Sequence, residues 1–208
     1  IMKYKIKICG ITRLEDAILA YNLGAWAIGF IFTKDSLRYI SPEKASRIAK
    51  SIPDNIEKIG VFVNSNLIDI INTVETVGLT KIQLHGYESP DFCNILSEEI
   101  PLDIIKAFRI KDKNSVNIIY DYNEYINYIL LDTYSPNFWG GTGKKFDWNI
   151  LENIKNHKLP IILAGGINQT NIQNAFKKVQ PFAFDISSSV ESSPGVKDPV
   201  KLRELFSF

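Results

Sequence analysis

The pattern that decides the fold begins near the N-terminus with the stretch KIKICGIT, residues 5–12. Its first part, Lys5–Cys9, reads as a buried β-strand, and Gly10 follows at once. Thr12 and Glu15 have the spacing of a capping box, so we predict a helix that begins here and runs through Tyr21. A strand followed directly by a helix is the unit from which parallel α/β folds are built.

Seven further runs rich in isoleucine, valine and phenylalanine follow. They are Ala25–Phe32, Lys58–Val63, Lys81–Leu84, Asp103–Phe108, Ile126–Leu131, Pro160–Ala164 and Pro181–Ile186. Nearly continuous apolar character is typical of parallel strands covered on both faces. Helical segments lie between the runs, with predicted N-caps at Ser41, Ser89, Asp147 and Asp198, and a further helix at Asn171–Val179.

Strand–helix units at intervals of roughly 20–30 residues predict one α/β domain, a (β/α)8 or TIM barrel over residues 1–208. A doubly wound open sheet is the alternative, but it seldom needs so many regular units in so short a chain. The least regular segment is 111–122, where asparagine-rich polarity blurs the helical period. We see no linker or low-complexity stretch that would divide the chain.

Composition argues against several classes of function. The formal net charge is +1 and the charges are scattered, which does not fit a nucleic-acid binder. The sequence has no apolar run of membrane-spanning length and no signal-peptide pattern. Two cysteines do not make a disulfide framework, so we expect a cytoplasmic protein, and two histidines without ligand spacing argue against a metal site. The oligomeric state does not follow from the sequence, and a monomer is the simplest expectation.

In such a barrel the active site forms at the C-terminal ends of the strands. Cys9 ends the first strand, and Asp132 ends the sixth. A free cysteine is usually a small buried hydrophobe, and an aspartate here can simply cap the next segment. At a barrel mouth, however, a partly desolvated carboxyl group can hold a proton near neutral pH, opposite a thiolate. We therefore predict Cys9 and Asp132 as a catalytic acid–base pair.

The last two strand ends indicate a phosphorylated small-molecule ligand. Gly165 and Gly166 follow strand seven, and Ser187 and Ser188 follow strand eight. Glycines let the backbone N–H groups approach an anion, and a short helix, expected to open at 189–191, would add its N-terminus. The alternative is that the glycines form only a turn and the serines only a cap.

Three further side chains at the strand ends are candidates to line the site. Arg38, after strand two, offers a planar fork for a carboxylate, although a surface ion pair is the commoner fate of a loop arginine. Gln83 and His85 lie at the end of strand four, where we predict that they line the substrate site. A histidine in such a place is more often a hydrogen-bonded structural residue than a catalyst, so we assign His85 no catalytic role.

A glycine-rich loop at 140–145 contains Gly141, which we expect to cover the substrate. The loop is not a phosphate-binding P-loop, because the order of its glycines and lysines does not match that motif. Phe138 and Trp139 either pack on an aromatic substrate or anchor the loop, and the sequence favours neither.

Taken together and in order, these motifs closely resemble the phosphoribosylanthranilate isomerases of tryptophan biosynthesis, from the first strand to the last helix. The motifs are KICGIT (7–12), SLRYI (36–40), GVFVN (60–64), QLHG (83–86), LDT (131–133), GGTG (140–143), LAGGI (163–167), DISS (185–188), VE (190–191) and PGVKD (194–198).

The resemblance implies a cofactor-free Amadori rearrangement of N-(5-phosphoribosyl)anthranilate to 1-(2-carboxyphenylamino)-1-deoxyribulose 5-phosphate. It also implies that Cys9 is the general base and Asp132 the general acid. Arg38 would hold the anthranilate carboxylate, while Gly166 and the serines at 187–188 would hold the phosphate. The chain departs from the family at Ser189, where glycine is usual. This departure puts the phosphate geometry in question, since glycine tolerates a positive φ that serine adopts less readily.

Other phosphate-binding barrels are the nearest enzymatic alternatives. A ribulose-phosphate epimerase would need a metal set of histidines and acids, which two histidines do not supply. An indole-glycerol-phosphate synthase would need a lysine acid–base group, and Lys106, inside strand five, lacks a matching partner set. A non-catalytic barrel is the third alternative, and Cys9, Asp132 and Arg38 argue against it.

Overall fold

The computed structural model describes residues 4–133, 154 and 157–207. Within these residues, eight parallel strands form a closed barrel in sequence order, and the eighth strand pairs with the first. The strands are β1 (Lys5–Cys9), β2 (Ala27–Ile31), β3 (Glu57–Phe62), β4 (Lys81–Leu84), β5 (Asp103–Ile110), β6 (Tyr128–Thr133), β7 (Ile161–Leu163) and β8 (Ala183–Ile186). The barrel predicted from the eight apolar runs is confirmed.

Helices surround this barrel. The described α-helices are α1 (Leu14–Asn22), α2 (Pro42–Lys50), α3 (Leu67–Val77), α4 (Pro90–Glu99), α5 (Ile172–Val179) and α6 (Pro199–Leu205), and a 3-10 helix covers Lys113–Tyr122. The N-caps predicted at Ser41, Ser89 and Asp198 are confirmed, because each side chain accepts a backbone N–H from the first turn of its helix. The cap predicted at Asp147 lies outside the described residues. None of the helices in the described ranges is long and apolar enough to cross a membrane.

The capping box predicted at Thr12 and Glu15 is wrong. The N-cap of α1 is Arg13, which makes no side-chain capping bond. The Thr12 hydroxyl donates instead to the carbonyl oxygen of Gly195, at 2.5 Å. A tertiary partner near the end of the chain therefore takes the hydroxyl that local spacing assigned to the helix.

The first strand shows how the barrel separates apolar from polar side chains. Ile6 and Ile8 belong to the core between the strands and the helices. Lys7 and Cys9 alternate with them and lie on the inner face, as the period of two requires. The floor of the barrel is closed by a smaller apolar cluster, on which the partly buried Trp26, Tyr128 and Phe182 pack.

The segment after β8 differs from the expectation. A 3-10 turn covers Ser188–Val190, and Glu191 then begins a short antiparallel hairpin of β9 (Glu191–Ser193) and β10 (Val196–Lys197). The helix expected to open at 189–191 is thus a single turn placed one residue earlier. The hairpin carries Glu191 and Lys197 into the barrel mouth.

Candidate active site

A cavity of about 630 Å³ opens at the C-terminal mouth of the barrel. Every predicted site residue within the described ranges lines it: Cys9, Arg38, Gln83, His85, Asp132, Gly165, Gly166, Ser187 and Ser188. Gly141 lies outside the described residues, as do Phe138 and Trp139. Residues that were predicted from their positions at the C-terminal ends of the strands, and that are spread over the whole sequence, thus line one cavity.

Cys9 lies at the end of β1 above a fully buried lysine. The ammonium group of Lys7, whose side chain is 0% exposed, lies 3.4 Å from Cys9 Sγ and also donates to Gln83 Oε1 (2.5 Å) and to Asp185 Oδ2 (2.9 Å). Gly29 on β2 leaves the space for these groups. A Cβ atom at Gly29 would lie 2.8 Å from the sulfur and 3.0 Å from Lys7 Cε, which is too close for either to stay in place.

The charges around the thiol act in opposite directions. Burial raises the pKa of the Cys9 thiol, the Lys7 ammonium opposes that rise, and the Asp185 carboxylate adds to it. The net pKa of Cys9 is above its ordinary value, so these surroundings favour the neutral thiol. For Lys7, burial lowers the pKa, but the carboxylate and the sulfur outweigh burial and raise it overall. Lys7 is therefore a permanent cation beneath the sulfur.

Asp132 lies at the end of β6 and is buried. Its Oδ1 accepts the backbone N–H of Thr133 at 2.7 Å, and its Oδ2 lies 3.4 Å from His85 Nε2. Gly165 is required beside it: its φ is +82°, and a Cβ atom there would lie 2.7 Å from Thr133 N and 3.0 Å from Asp132 Oδ1. The close approach of the β7 loop thus fixes the carboxyl group.

Arg38 lies at the rim of the cavity, but a protein carboxylate already holds it. Its Nε and Nη2 form a bidentate pair with Glu191, whose Oε1 also accepts from Lys197 Nζ at 2.8 Å. Burial raises the pKa of Glu191, but the hydrogen bond from Arg38 and the charge of Lys197 outweigh burial and hold it below its usual range. Arg38 therefore forms the ion pair that was the alternative to carboxylate binding, but its partner Glu191 is buried and does not lie on the surface.

Gly10, directly after Cys9, makes room for the Arg38 stem. Its φ is +76°, and a Cβ atom there would lie 2.6 Å from Arg38 Cδ. The same glycine that ends the first strand therefore lets the guanidinium group lie over the mouth.

The two loops expected to hold a phosphate lie side by side. Gly166 has a φ of +65°, and Ser187 Oγ is buried without a hydrogen-bond partner among the described residues. Ser189 Oγ donates to the Ile167 carbonyl oxygen at 2.7 Å and so joins the β8 loop to the β7 loop. Within the described ranges, Asn64 and Gln180 are the non-glycine residues with positive φ, so Ser189 fits without left-handed strain. The serine at position 189 therefore does not need the positive φ that a glycine there would allow.

The sequence did not single out Lys7, Asp185, Glu191 or Lys197 as site residues. Lys7 was detectable, since a lysine two residues before Cys9 in a buried strand must share its inward face. Glu191 and Lys197 reach the site through a hairpin of two- and three-residue strands, which leaves no periodic signal.

Lys106 is excluded as an acid–base group at this cavity, because it does not line it. Its ammonium group is paired with Glu88 (3.2 Å) and donates to the carbonyl oxygen of Gly86 (2.9 Å). The described residues also hold no cluster of three or more histidines, cysteines or acids arranged to bind a metal ion. The position of Lys106 agrees with the sequence-based objection to the synthase alternative.

A closed (β/α)8 barrel with a cavity, lined in part by polar side chains, at the C-terminal ends of its strands has the architecture of the barrel enzymes. Residues 6–207 match the family model described as N-(5'phosphoribosyl)anthranilate (PRA) isomerase. The chain belongs to this family, whose members are intramolecular oxidoreductases of tryptophan biosynthesis.

Individual relatives agree with the family assignment. The N-(5'-phosphoribosyl)anthranilate isomerase of Citrifermentans bemidjiense is 45% identical over 201 residues, which cover 97% of this chain and 94% of the relative. The crystal structure of the isomerase from Thermotoga maritima has a TM-score of 0.90 at 38% identity, with 97% and 96% of the two chains covered. A further solved isomerase, in complex with reduced 1-(o-carboxyphenylamino)-1-deoxyribulose 5-phosphate, has a TM-score of 0.87 at 36% identity, with 98% and 96% covered.

Proposed function

We propose that this chain performs the isomerisation with Cys9 as the general base and Asp132 as the general acid. The reaction is the Amadori rearrangement of N-(5-phosphoribosyl)anthranilate to 1-(2-carboxyphenylamino)-1-deoxyribulose 5-phosphate. The observation that carries the assignment is that β1 and β6 bring a buried thiol and a buried carboxyl group to one cavity.

In the first step, protonated Asp132 gives its proton to the ring oxygen of the sugar. The bond from C1 to that oxygen breaks, and the nitrogen lone pair forms a Schiff base. In the second step, the Cys9 thiolate takes the proton from C2, and the released electron pair forms the C1–C2 double bond of an enolamine. The enolamine then gains a proton at C1 and loses one from the C2 hydroxyl, which gives the ketone. Each positioned acid or base contributes on the order of 10²–10⁴-fold in rate.

Lys7 supports the base in this proposal. Because burial raises the pKa of the Cys9 thiol, the thiolate needs a nearby positive charge when it forms, and the Lys7 ammonium lies 3.4 Å from the sulfur. The carboxylate of Asp185 holds this cation in place at 2.9 Å.

Arg38, Gly166 and the serines at 187–188 are proposed to bind the two ends of the substrate. Glu191 holds the guanidinium group in a fixed plane, and the anthranilate carboxylate would meet the edge that faces the cavity. The Ser187 hydroxyl, which has no hydrogen-bond partner among the described residues, would donate to a phosphate oxygen. The amide oxygen of Gln83 contacts Lys7 and its amide nitrogen contacts His85, while its predicted contact with the substrate stays a prediction. The contact predicted for Gly141 stays a prediction.

The test is a fluorescence assay that follows the disappearance of freshly prepared phosphoribosylanthranilate. We expect the purified chain to accelerate the loss far above the spontaneous rate. The matched control is a Cys9→Ser/Asp132→Asn double variant purified in the same way, which identifies any contaminating isomerase. A wild-type rate equal to that of the control would contradict the proposal.

We further propose that the chain acts as a cytoplasmic monomer. The two free, buried cysteines support a reducing compartment, and a monomer is the simplest assembly. Light scattering at micromolar concentration gives the molar mass in solution, and a dimer mass with activity lost on dilution would contradict the monomer.

A further inference from the structure

A line of buried polar contacts crosses the barrel interior from the thiol side to the carboxyl side. Lys7 Nζ donates to Gln83 Oε1 (2.5 Å), Gln83 Nε2 contacts His85 Nδ1 (2.9 Å), and His85 Nε2 lies 3.4 Å from Asp132 Oδ2. All four residues are buried, and Gln83 is only 1% exposed. The two proposed catalytic groups therefore lie at the ends of one connected set of side chains.

Chemistry fixes the direction of each contact in this line. An ammonium group can only donate, so the Gln83 amide must turn its oxygen toward Lys7. Its N–H₂ group, which can only donate, then faces His85 Nδ1, and Nδ1 must accept. A neutral imidazole carries one proton, which is consequently on Nε2 and points toward Asp132. A ring protonated at both nitrogens would set two N–H donors against each other at Nδ1.

The position of Lys7 keeps this direction from reversing. Its ammonium group is held by Asp185 at 2.9 Å, and charge attraction keeps the lysine protonated in its buried place. The amide of Gln83 thus has a permanent cation on one side, and a half-turn would place its N–H₂ group against that cation. No proton has to move between these residues. The direction of the hydrogen bond from Lys7 to Gln83 alone determines which atom of His85 accepts.

We propose that Lys7 and Gln83 are positioning residues that hold His85 in the Nε2–H tautomer, so that it donates to Asp132 once that residue has given up its proton. His85 Nε2 is buried and has no hydrogen-bond partner within the described ranges. This is expected of an N–H group that forms its hydrogen bond only after Asp132 has lost its proton. The carboxylate that forms during ring opening would gain a charge-assisted hydrogen bond, which is stronger than a neutral one. This inference rests on the proposed role of Asp132.

The chain offers a direct measurement, because it contains only two histidines, His85 and His157. Long-range ¹H–¹⁵N correlation spectra of the uniformly labelled, ligand-free protein at pH 8 show which nitrogen of each ring is protonated. A His157→Gln variant assigns the remaining signals to His85. We expect the Nε2–H tautomer for His85, and a proton on Nδ1 in the wild-type protein would overturn the proposal.

The substitution Gln83→Glu reverses the direction of the hydrogen bond between residue 83 and His85. A carboxylate only accepts, so both Lys7 and His85 must donate to it, and the proton of His85 moves to Nδ1. We expect the NMR signature to change accordingly and kcat to fall roughly tenfold or more, with KM changed about twofold at most. The matched control is Gln173→Glu, which adds the same charge at an exposed position of α5. An unchanged tautomer in Gln83→Glu would overturn the proposal.

If Gln83→Glu does not fold, Lys7→Met takes its place. Without the ammonium group the amide is free to turn, and the fraction of Nε2–H tautomer should fall; an unchanged fraction contradicts the inference. The NMR result needs no turnover, so it is separable from the proposed function. If the wild-type protein had no isomerase activity, the proposed function would fail while the measured tautomer of His85 would stand. An active enzyme with the wrong tautomer would remove only this inference.

Discussion

The described part of the barrel contains two buried groups that each combine a lysine, a cysteine and an acidic residue, and only one of them lies at the cavity. On the inner face, Lys7 and Cys9 lie with Asp185 at the mouth. On the outer side, Lys106 is paired with Glu88, and the charges of both influence the buried Cys93 of α4. A lysine, a cysteine and a carboxylate are therefore not a catalytic signature by themselves.

The surroundings of the two lysines explain the difference. The Lys106 ammonium group also donates to three backbone carbonyl oxygens, those of Leu84, Gly86 and Ala107. Burial lowers the pKa of Lys106 despite the charge of Glu88, whereas the pKa of Lys7 is raised. The outer group ties strand and loop backbones together, while the inner group keeps a charge next to a reactive atom.

The largest expected effect separates the two cysteines. Cys9→Ser removes the proposed base, and kcat should fall on the order of 10²–10⁴-fold while the Tm changes little. Cys93→Ser, the matched control, places a hydroxyl in a buried apolar site, so it should lower the Tm and leave kcat within about twofold. Steady-state kinetics and thermal unfolding of both variants check this pair. Equal effects of the two substitutions on kcat would show that the position of a cysteine at the cavity does not determine a catalytic role.

The second effect concerns the carboxyl groups. Asp132→Asn keeps the shape of the side chain but removes its acidic proton, so kcat should also fall on the order of 10²–10⁴-fold. Glu88→Gln changes the carboxylate of the outer group in the same way and should act on stability instead. Binding of a product analogue, measured by calorimetry, should survive in Asp132→Asn. Near wild-type turnover in that variant would remove Asp132 from the mechanism.

The third effect separates the lysines. Lys106→Met leaves Glu88 buried without its charged partner, which should lower the free energy of unfolding by about 3–5 kcal/mol. Lys7→Met should instead make the Cys9 thiolate harder to form, with kcat/KM about tenfold lower at neutral pH for each pKa unit gained. Urea unfolding and pH–rate profiles measure the two outcomes. If Lys7→Met changed only the stability of the protein, the proposed effect of Lys7 on the Cys9 thiolate would be contradicted.

The smallest effect is the pH dependence of stability. Burial raises the pKa of Cys93 from 9.0 to about 11, so the folded chain binds this proton more tightly than the unfolded chain. Stability is then fully present below pH 9 and declines as the pH rises toward 11. Cys93→Ala should reduce this decline in urea unfolding series at several pH values. An identical decline in the variant would show that the thiol does not titrate differently in the folded state.

The sequence was sufficient for the barrel because the apolar runs and the proline-linked caps at Ser41, Ser89 and Asp198 are local signals. It was also sufficient for the common position of Cys9 and Asp132, since the ends of parallel strands meet at one mouth. The capping box at Thr12 failed because Gly195, distant in sequence, competes for the same hydroxyl.

Other features of the site depend on tertiary pairing that no local pattern encodes. The pair between Arg38 and Glu191 joins residues 153 positions apart, and it requires the short hairpin that follows β8. The direction of the Gln83 amide likewise follows from its buried neighbour Lys7, which is 76 positions away in the chain.

That hairpin also has a consequence for the order in which the site is completed during synthesis. Lys197 Nζ donates to the backbone carbonyl of Cys9, a contact that spans 188 positions. β1 also pairs with β8, although chains emerge from the ribosome with the N-terminus first. The strand that carries the proposed base is thus made before the hairpin residue that binds its carbonyl group, which follows 188 positions later. A nascent chain that stops short of the hairpin would carry Cys9 without the ammonium group that holds its carbonyl.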